Sequence, residues 1–154
     1  LLDVHDFAVC GTTVYAATSD GLFRSTGDPE DWQQLRSAEA TLVACSGNRV
    51  FWEEIGGVTS VVYVSHDALV SVVAVNGLVD AISRGIRDLA IAGNTALVAT
   101  LWGVERSTDG GLNFPSAYPV LWESSAGYQI TAVWTDGTRC AAAGSGGDSF
   151  HAKR

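Results

Sequence analysis

The stretch Arg106-Ser107-Thr108-Asp109-Gly110-Gly111-Leu112-Asn113-Phe114 decides the fold of this 154-residue chain. It brings a hydroxyl, a carboxylate and two adjacent glycines into one short segment. Serine and aspartate side chains accept hydrogen bonds from the backbone of their own turn, and glycine adopts the positive φ angles that tight turns need. The pattern predicts a self-bonded turn that closes a strand hairpin, with the phenylalanine anchoring the next strand in the core.

The residues that lead into this turn repeat a segment near the start of the chain. Residues 4–26 align without a gap on residues 86–108, an offset of 82. Ten positions are identical: Asp6/Asp88, Ala8/Ala90, Gly11/Gly93, Thr13/Thr95, Ala17/Ala99, Thr18/Thr100, Gly21/Gly103, Arg24/Arg106, Ser25/Ser107 and Thr26/Thr108. Agreement at this level indicates a repeated structural unit.

Two further copies complete the repeat. An offset of 82 residues holds two units of about 41, so a copy is required between the first pair. Residues 42–52 supply it, with Gly47 in the place of Gly11, and a fourth copy from Ile130 puts Gly137 there. The pattern of apolar and β-branched residues predicts strands at 6–10, 14–19, 22–25, 32–35, 69–75, 88–92, 96–101 and 104–107.

Four short antiparallel strands in about 40 residues, repeated along a chain, are typical of β-propeller blades. We therefore expect an all-β protein, a single propeller segment over residues 1–154, with four-stranded antiparallel blades near 3–38, 39–80, 85–122 and 128–154. A helical solenoid of similar period is excluded because the glycines interrupt every apolar stripe of 3.6-residue period. Residues 78–90 alone could hold a short helix.

The number of blades predicts an incomplete ring. The chain has about 3.7 blades, whereas propellers close with about four to eight. An unpaired edge strand invites association. We expect the chain to be a trimmed or internal segment, and another chain or a missing segment to complete the ring. Self-association or a partner propeller segment is the predicted interaction.

The spacing Ser-x-Asp-x-Gly-x-x-aromatic resembles the turn motif of Asp-box (BNR-repeat) β-propellers. The residues that match it in full are Ser107, Asp109, Gly111 and Phe114. The resemblance implies a structural turn between the third and fourth strands of a blade, on the face away from ligand sites. The family includes sialidases, propeller glycoside hydrolases, sortilin-like receptors and photosystem assembly factors.

The upstream copies of the motif are weaker. The first keeps Ser25 and the aromatic residue Trp32, but an insertion displaces the acid to Asp28. The second keeps Ser65 and Asp67 without the glycine and the aromatic residue. The sequence therefore contains one complete motif and two degenerate ones, and we expect Ser25, Ser65 and Asp67 to belong to equivalent structural turns.

Composition excludes several classes of partner. The net charge is −8, with 9 Lys and Arg residues, whereas nucleic-acid binding needs clustered positive charge. No 18-residue apolar run predicts membrane insertion. The three histidines have no metal-ligand spacing, and no cofactor is expected. Cys10, Cys45 and Cys140 lie far apart in apolar runs, which predicts buried small hydrophobes rather than bridges or ligands.

The acidic residues give little support for catalysis. A propeller glycoside hydrolase needs two carboxylates beside the scissile bond. Asp6 and Asp88 recur in equivalent positions, which favours a structural role, and Glu53 and Glu54 are expected at a solvated edge. A sialidase would show an early Arg-Ile-Pro motif, which this chain lacks.

We therefore expect a non-catalytic scaffold that binds a ligand or a protein through loops on one face. Trp102 and Asp20, equivalent residues between second and third strands, are the candidates for ligand-facing positions. Two alternatives stay open: part of a carbohydrate-active propeller glycoside hydrolase, and a structural module that oligomerises. The compartment is open too; the family resemblance slightly favours a secreted or extracytoplasmic protein.

Overall fold

The computed structural model describes residues 3–28, 30–57, 59–78, 85–100, 103–115, 129–145 and 151–153. Every regular element in these ranges is a β-strand. The strands are β1 Val4–Cys10, β2 Thr13–Thr18, β3 Gly21–Thr26, β4 Gln33–Arg36, β5 Ala40–Ser46, β6 Arg49–Gly56, β7 Thr59–Ser65, β8 Val73–Ala74, β9 Asp88–Ala92, β10 Thr95–Thr100, β11 Gly103–Ser107, β12 Gln129–Thr135, β13 Cys140–Ser145 and β14 His151–Lys153.

The strands form four antiparallel sheets, each built from consecutive strands. The sheet orders are β1-β2-β3-β4, β5-β6-β7-β8, β9-β10-β11 and β12-β13-β14. We number these sheets 1 to 4 in chain order. Sequential antiparallel strands joined by short turns are the construction of propeller blades. The all-β fold class expected from the repeat is confirmed.

Most predicted strands agree with the observed ones to within one or two residues, and β9 has the predicted bounds 88–92. The prediction for residues 69–75 is wrong in its first half, because β8 covers only Val73–Ala74. Ala68 and Leu69 instead adopt positive φ angles of 57° and 72° in a turn. The candidate helix at 78–90 overlaps β9 in its second half, and residues 79–84 lie outside the described part.

The chain divides into two compact units, residues 1–74 and residues 75–154. In the first unit, sheets 1 and 2 share a core. Its buried members come from β2, β3, β5 and β6: Tyr15, Ala17, Leu22, Ala40, Val43, Val50 and Trp52. The alternation of β-strands places Tyr15 and Ala17 on one face of β2, and this face meets sheet 2.

The second unit has its own core between sheets 3 and 4. Leu97, Ala99 and Val104 pack there with Val133 and Cys140. Cys140 is a buried free thiol that serves as a small apolar side chain, as the sequence predicts.

The sequence prediction that Cys10 and Cys45 are unbridged is wrong, because they form a disulfide. Their Cα atoms are 6.1 Å apart, which is within the range that a disulfide spans. The bond links the end of β1 to β5, and therefore joins sheets 1 and 2. Sequence spacing did not reveal it, since the two residues are 35 positions apart and meet only when the sheets stack.

Loss of this disulfide is expected to destabilise the first unit. Closing a loop of 35 residues in the unfolded chain corresponds to about 3–4 kcal/mol in the chain-entropy description. We expect Cys10→Ser with Cys45→Ser to lower the free energy of unfolding of residues 1–74 by about that amount, measured by urea denaturation. Reductant should reproduce the loss in the wild type and change nothing in the double variant. An equal effect of reductant on both proteins would contradict the assignment.

Candidate functional site

The turn after β11 is held by one hydroxyl and one carboxylate. The Ser107 hydroxyl donates to Asp109 Oδ1 over 2.6 Å, and its oxygen accepts the N–H of Gly111 at 3.0 Å. Ser107 is fully buried, so its hydroxyl needs these partners. The serine thus connects the end of the strand to the far side of its own turn.

The Asp109 carboxylate completes the turn. It accepts the backbone N–H groups of Leu112 and Asn113 at 3.1 and 3.0 Å, and the Asn113 side-chain amide at 2.7 Å. Burial acts to raise the pKa of Asp109, but the hydrogen bonds from Ser107 and Asn113 outweigh it and hold this pKa at about 2. The carboxylate is therefore ionised and engaged at neutral pH.

Backbone contacts fix the turn to its surroundings. Gly110 donates its N–H to the carbonyl of Asn94, in the turn between β9 and β10. Phe114 is 2% exposed, and its N–H donates to the carbonyl of Asn76. At Gly77 a Cβ atom would lie 1.7 Å from the carbonyl oxygen of Phe114, so only glycine allows this approach. The predicted anchoring role of the phenylalanine agrees with this geometry.

Sheet 2 contains the same turn, built from different residues. The N–H of Leu69 donates to Ser65 Oγ at 2.8 Å, and the Ser65 hydroxyl donates to Asp67 Oδ1 at 2.8 Å. Ser71 takes the place of the asparagine, with its N–H and hydroxyl donating to the Asp67 carboxylate at 2.8 and 2.6 Å. The N–H of Ala68 donates to Asn48, in the turn between β5 and β6. Although the sequence motif is degenerate in this copy, Ser65 and Asp67 make the same side-chain hydrogen bonds as Ser107 and Asp109.

The difference between the two turns lies in the backbone. The third-sheet turn has glycines at φ 79° and 88°, whereas the second has Ala68 and Leu69 at 57° and 72°. L-residues other than glycine adopt this region at a cost of about 1–2 kcal/mol each. The same turn contains the hydrogen bonds from Ser71 and Ser65 to the Asp67 carboxylate. These hydrogen bonds hold the pKa of Asp67 at about 2. The network of side-chain bonds, rather than glycine, maintains the shape.

The first-sheet turn is constructed in another way. Ser25 donates its hydroxyl to the backbone carbonyl of Asp28, not to a carboxylate. The Asp28 side chain accepts the N–H of Glu30 at 2.9 Å. Trp32 remains 39% exposed. The displaced acid of this copy therefore does not replace the acid of the complete motif.

Asp6 and Asp88 connect neighbouring sheets. Asp6 accepts the N–H of Phe7 at 2.8 Å and, across to sheet 2, the N–H of Val43 at 2.9 Å. Asp88 accepts the N–H of the next residue, Leu89, at 2.8 Å, and an amide in sheet 4, that of Val133, at 2.7 Å. The inferred structural role agrees with these contacts. The partner amides lie far along the chain and could not be identified from sequence.

Glu53 and Glu54 contradict the expectation of a solvated edge, since they are 6% and 5% exposed. Glu54 accepts a two-point contact from Arg36 at 2.7 and 3.2 Å and the indole N–H of Trp52 at 2.9 Å. This hydrogen bond to Glu54 also raises the pKa of Arg36. Glu53 accepts the hydroxyl of Thr41 at 2.7 Å. Residues 50–54 of β6 are all buried. The sequence prediction is wrong because two adjacent acidic residues suggest an exposed segment.

The structure describes one of the two candidate ligand-facing residues, Asp20. Asp20 lies in the turn between β2 and β3 and is exposed. Its backbone is held, because its N–H donates to Thr18 Oγ1 and its carbonyl accepts the side chain of Gln34. Trp102 lies outside the described residues. Asp20 is therefore an exposed residue on a backbone held by two hydrogen bonds.

Within the described ranges, no three His, Cys, Asp or Glu side chains are grouped closely enough to bind a metal ion. The same residues include no helix with the length and apolar character needed to cross a bilayer.

Comparison with known proteins identifies the fold. No protein-family model and no curated protein matches the chain. Solved structures do: an ancestral GH74 enzyme has a TM-score of 0.64 and 16% identity over 97% of this chain and 25% of that chain. YCF48 bound to D1 peptide has a TM-score of 0.60 and 17% identity over 92% and 47%. PorZ, a surface component of the type-IX secretion system of Porphyromonas gingivalis, has 0.61 and 17% over 92% and 19%.

These neighbours are β-propeller proteins, and the chain spans less than half the length of each. At 16–17% identity the likeness shows the fold and nothing more specific. The strand order, the repeated sheets and the structural neighbours agree with each other. The chain has the fold of a β-propeller segment.

Exchange of alanine and glycine tests the backbone strain of the two turns. We expect Ala68→Gly to stabilise the first unit by about 0.5–1 kcal/mol, because it removes a side chain from a positive-φ position. The matched change Gly110→Ala, at the equivalent position, should destabilise the second unit by about 1 kcal/mol. Urea denaturation measures both. Destabilisation by Ala68→Gly would contradict the strained backbone.

Acid titration tests the two carboxylates. The folded-state pKa of Asp67 and Asp109 is about 2, below the ordinary 3.8. Their hydrogen bonds should therefore contribute fully above about pH 4, and this contribution should be lost as the pH falls through about 2. Urea midpoints between pH 5 and pH 2 should fall less steeply in Asp67→Asn and Asp109→Asn than in the wild type. Parallel curves would contradict the depressed pKa values.

Proposed function

We propose that this chain is a non-catalytic propeller scaffold that binds a ligand or a protein through the turns at one end of its sheets. The observation that supports this proposal is the use of its acidic side chains. Asp67 and Asp109 are occupied by their own turns, and Asp6 and Asp88 by amides of the adjacent sheet. Hydrolysis of a glycosidic bond needs a proton donor and a second free carboxylate, and these four residues serve structure instead.

The proposed binding end is the one opposite the box turns. The turns after β7 and β11 contact the hairpin turns at Asn48 and Asn94, so they lie at the same end of their sheets as those hairpins. In an antiparallel sheet the turns between second and third strands lie at the other end. Residues in those turns differ between copies, as Asp20 and Trp102 show. The threonine hydroxyls of Thr18 and Thr100 hold both of these turns in the same way, so the copies differ at the tip of the turn rather than in its frame.

The disulfide supports an oxidising compartment for this scaffold. Disulfides persist in secreted and extracytoplasmic proteins and are rare in the cytosol. The Cys10–Cys45 bond joins two sheets through their innermost strands, which is a structural position. We therefore propose an extracytoplasmic location, and the structural neighbour PorZ is itself a bacterial surface component.

A second candidate function, part of a carbohydrate-active hydrolase, is supported by the likeness to an ancestral GH74 enzyme over 97% of this chain. The likeness to YCF48, described as bound to a peptide, supports the binding scaffold. Both neighbours share the fold alone with this chain. A measurement of binding and of turnover on the same sample distinguishes the two candidates.

Variants at opposite ends of the sheets test the proposed function. A glycan array and a displayed random-peptide library should each be screened with wild-type protein. We expect Asp20→Ala or Trp102→Ala to weaken binding of the selected probe by about tenfold or more, since both alter the proposed end. Asp31→Ala, the same loss of charge in the exposed turn before β4, should leave affinity unchanged.

Three outcomes would overturn the proposed function. The first is an equal loss of affinity in Asp31→Ala, which would place binding at the other end. The second is release of reducing sugar from the selected glycan, which would favour the hydrolase. The third is the absence of any captured glycan or peptide, which would favour a purely structural module.

A further inference from the structure

Asn76 is the one asparagine of the four in this chain that is followed by glycine. An asparagine loses its side-chain amide when the backbone nitrogen of the next residue attacks the side-chain carbonyl carbon. Glycine in that next position leaves its nitrogen unshielded, because it has no side chain. Asn76 is also exposed, so water has access to the product of the attack. The pair is therefore reactive by its sequence and accessible by its position.

The backbone of Asn76 is held on both sides by residues of the turn after β11. Its N–H donates to the carbonyl of Leu112 at 2.9 Å, and its carbonyl accepts the N–H of Phe114 at 2.8 Å. Attack by the Gly77 nitrogen requires rotation of the Asn76 backbone, which both hydrogen bonds oppose. These bonds form a parallel bridge between Asn76 and Asn113, and we refer to it as the Asn76 bridge. The reactive pair is therefore protected while the bridge is formed.

The turn after β11 determines which side chain the bridge accepts. The Asp109 carboxylate accepts the side-chain N–H of Asn113 at 2.7 Å, which sets the nitrogen of that amide towards Asp109 and leaves its oxygen free for Asn76. This oxygen accepts the side-chain N–H of Asn76 at 3.3 Å. A carboxylate at position 76 has no proton to donate at neutral pH, so it would place one acceptor against another. The turn therefore favours asparagine at position 76 and opposes aspartate.

We propose that Asn76 is a site of spontaneous deamidation, and that its modification opens the Asn76 bridge permanently. The Gly77 nitrogen bonds to the side-chain carbonyl carbon of Asn76, and ammonia leaves with the side-chain nitrogen and the proton of the Gly77 N–H. Water then opens the five-membered imide at either carbonyl, which gives aspartate or its β-linked isomer. Both products place a carboxylate where the Asn113 oxygen needs a donor. The β-linked isomer also adds a carbon atom to the backbone.

Peptide mass spectrometry of the aged chain tests the modification. The whole chain is incubated in mildly alkaline buffer with and without urea, and conversion of each asparagine to acid is followed over time. We expect Asn76 to convert faster in urea, because only the native chain forms the bridge. Asn113→Ala should raise the native rate by about fivefold, since loss of one hydrogen bond favours opening of the bridge. Asn48 and Asn94, followed by arginine and threonine, are internal controls and should keep their amides.

The structural consequence is tested with Asn76→Asp, which reproduces the α-linked product. We expect this variant to unfold at a lower urea concentration than the wild type, because the bridge loses its side-chain donor. The matched control is Asn48→Asp, the same change of charge at an exposed residue in the turn between β5 and β6. This control should unfold at the wild-type midpoint.

Each other outcome overturns the proposal. Equal conversion of Asn76 in the native and the unfolded chain, or an unchanged native rate in Asn113→Ala, shows that the bridge gives no protection. Equal conversion at Asn48 or Asn94 shows that the following glycine does not select the site. A wild-type urea midpoint in Asn76→Asp shows that the bridge tolerates the product.

Discussion

Hydrogen bonds from backbone amides to aspartate carboxylates are the interaction on which this structure depends, and they act at two levels. Within sheets 2 and 3, Asp67 and Asp109 accept hydrogen bonds from backbone amides of the turn that follows the third strand. Between sheets, Asp6 and Asp88 accept amides from the innermost strand of the following sheet. A carboxylate is a strong acceptor with several lone pairs, so a single residue can satisfy two amides that would otherwise lie unpaired at a strand edge. Serine hydroxyls support the first level.

The second level explains the period of the repeat. The acid is present in sheets 1 and 3, and the equivalent positions in sheets 2 and 4 are Leu42 and Ala132. Each compact unit therefore contains one carboxylate that joins its two sheets. The strongest self-similarity of the chain likewise has an offset of two sheets, and Asp6/Asp88 is one of its ten identities. The pair of sheets joined by an aspartate is thus the unit that recurs along the chain.

This use of aspartate shapes the interpretation of function. A carboxylate that must stay ionised to accept two amides is a poor proton donor, and the depressed pKa of Asp109 expresses this. The buried Glu54 has a comparable role, since Arg36 and Trp52 occupy both of its oxygens across sheets 1 and 2. Acidic residues thus contribute mainly to architecture in the described part of the chain. The proposed function places recognition at the turns at the other end of the sheets instead.

The amino-acid sequence by itself determined the local features. Alternating apolar residues specified the strands, glycines marked the turns, and the offset of 82 residues revealed the sheets, because these signals arise from neighbours along the chain. Only the tertiary structure decided which distant residues meet. The Cys10–Cys45 bond spans 35 positions, and the amide partners of Asp6 and Asp88 lie 37 and 45 positions away. The turn of sheet 2 belongs to this class as well, since Ala68 and Leu69 contradict the local preference for glycine. Stacked sheets create these contacts, and a one-dimensional pattern carries no signal for the face on which a partner will lie.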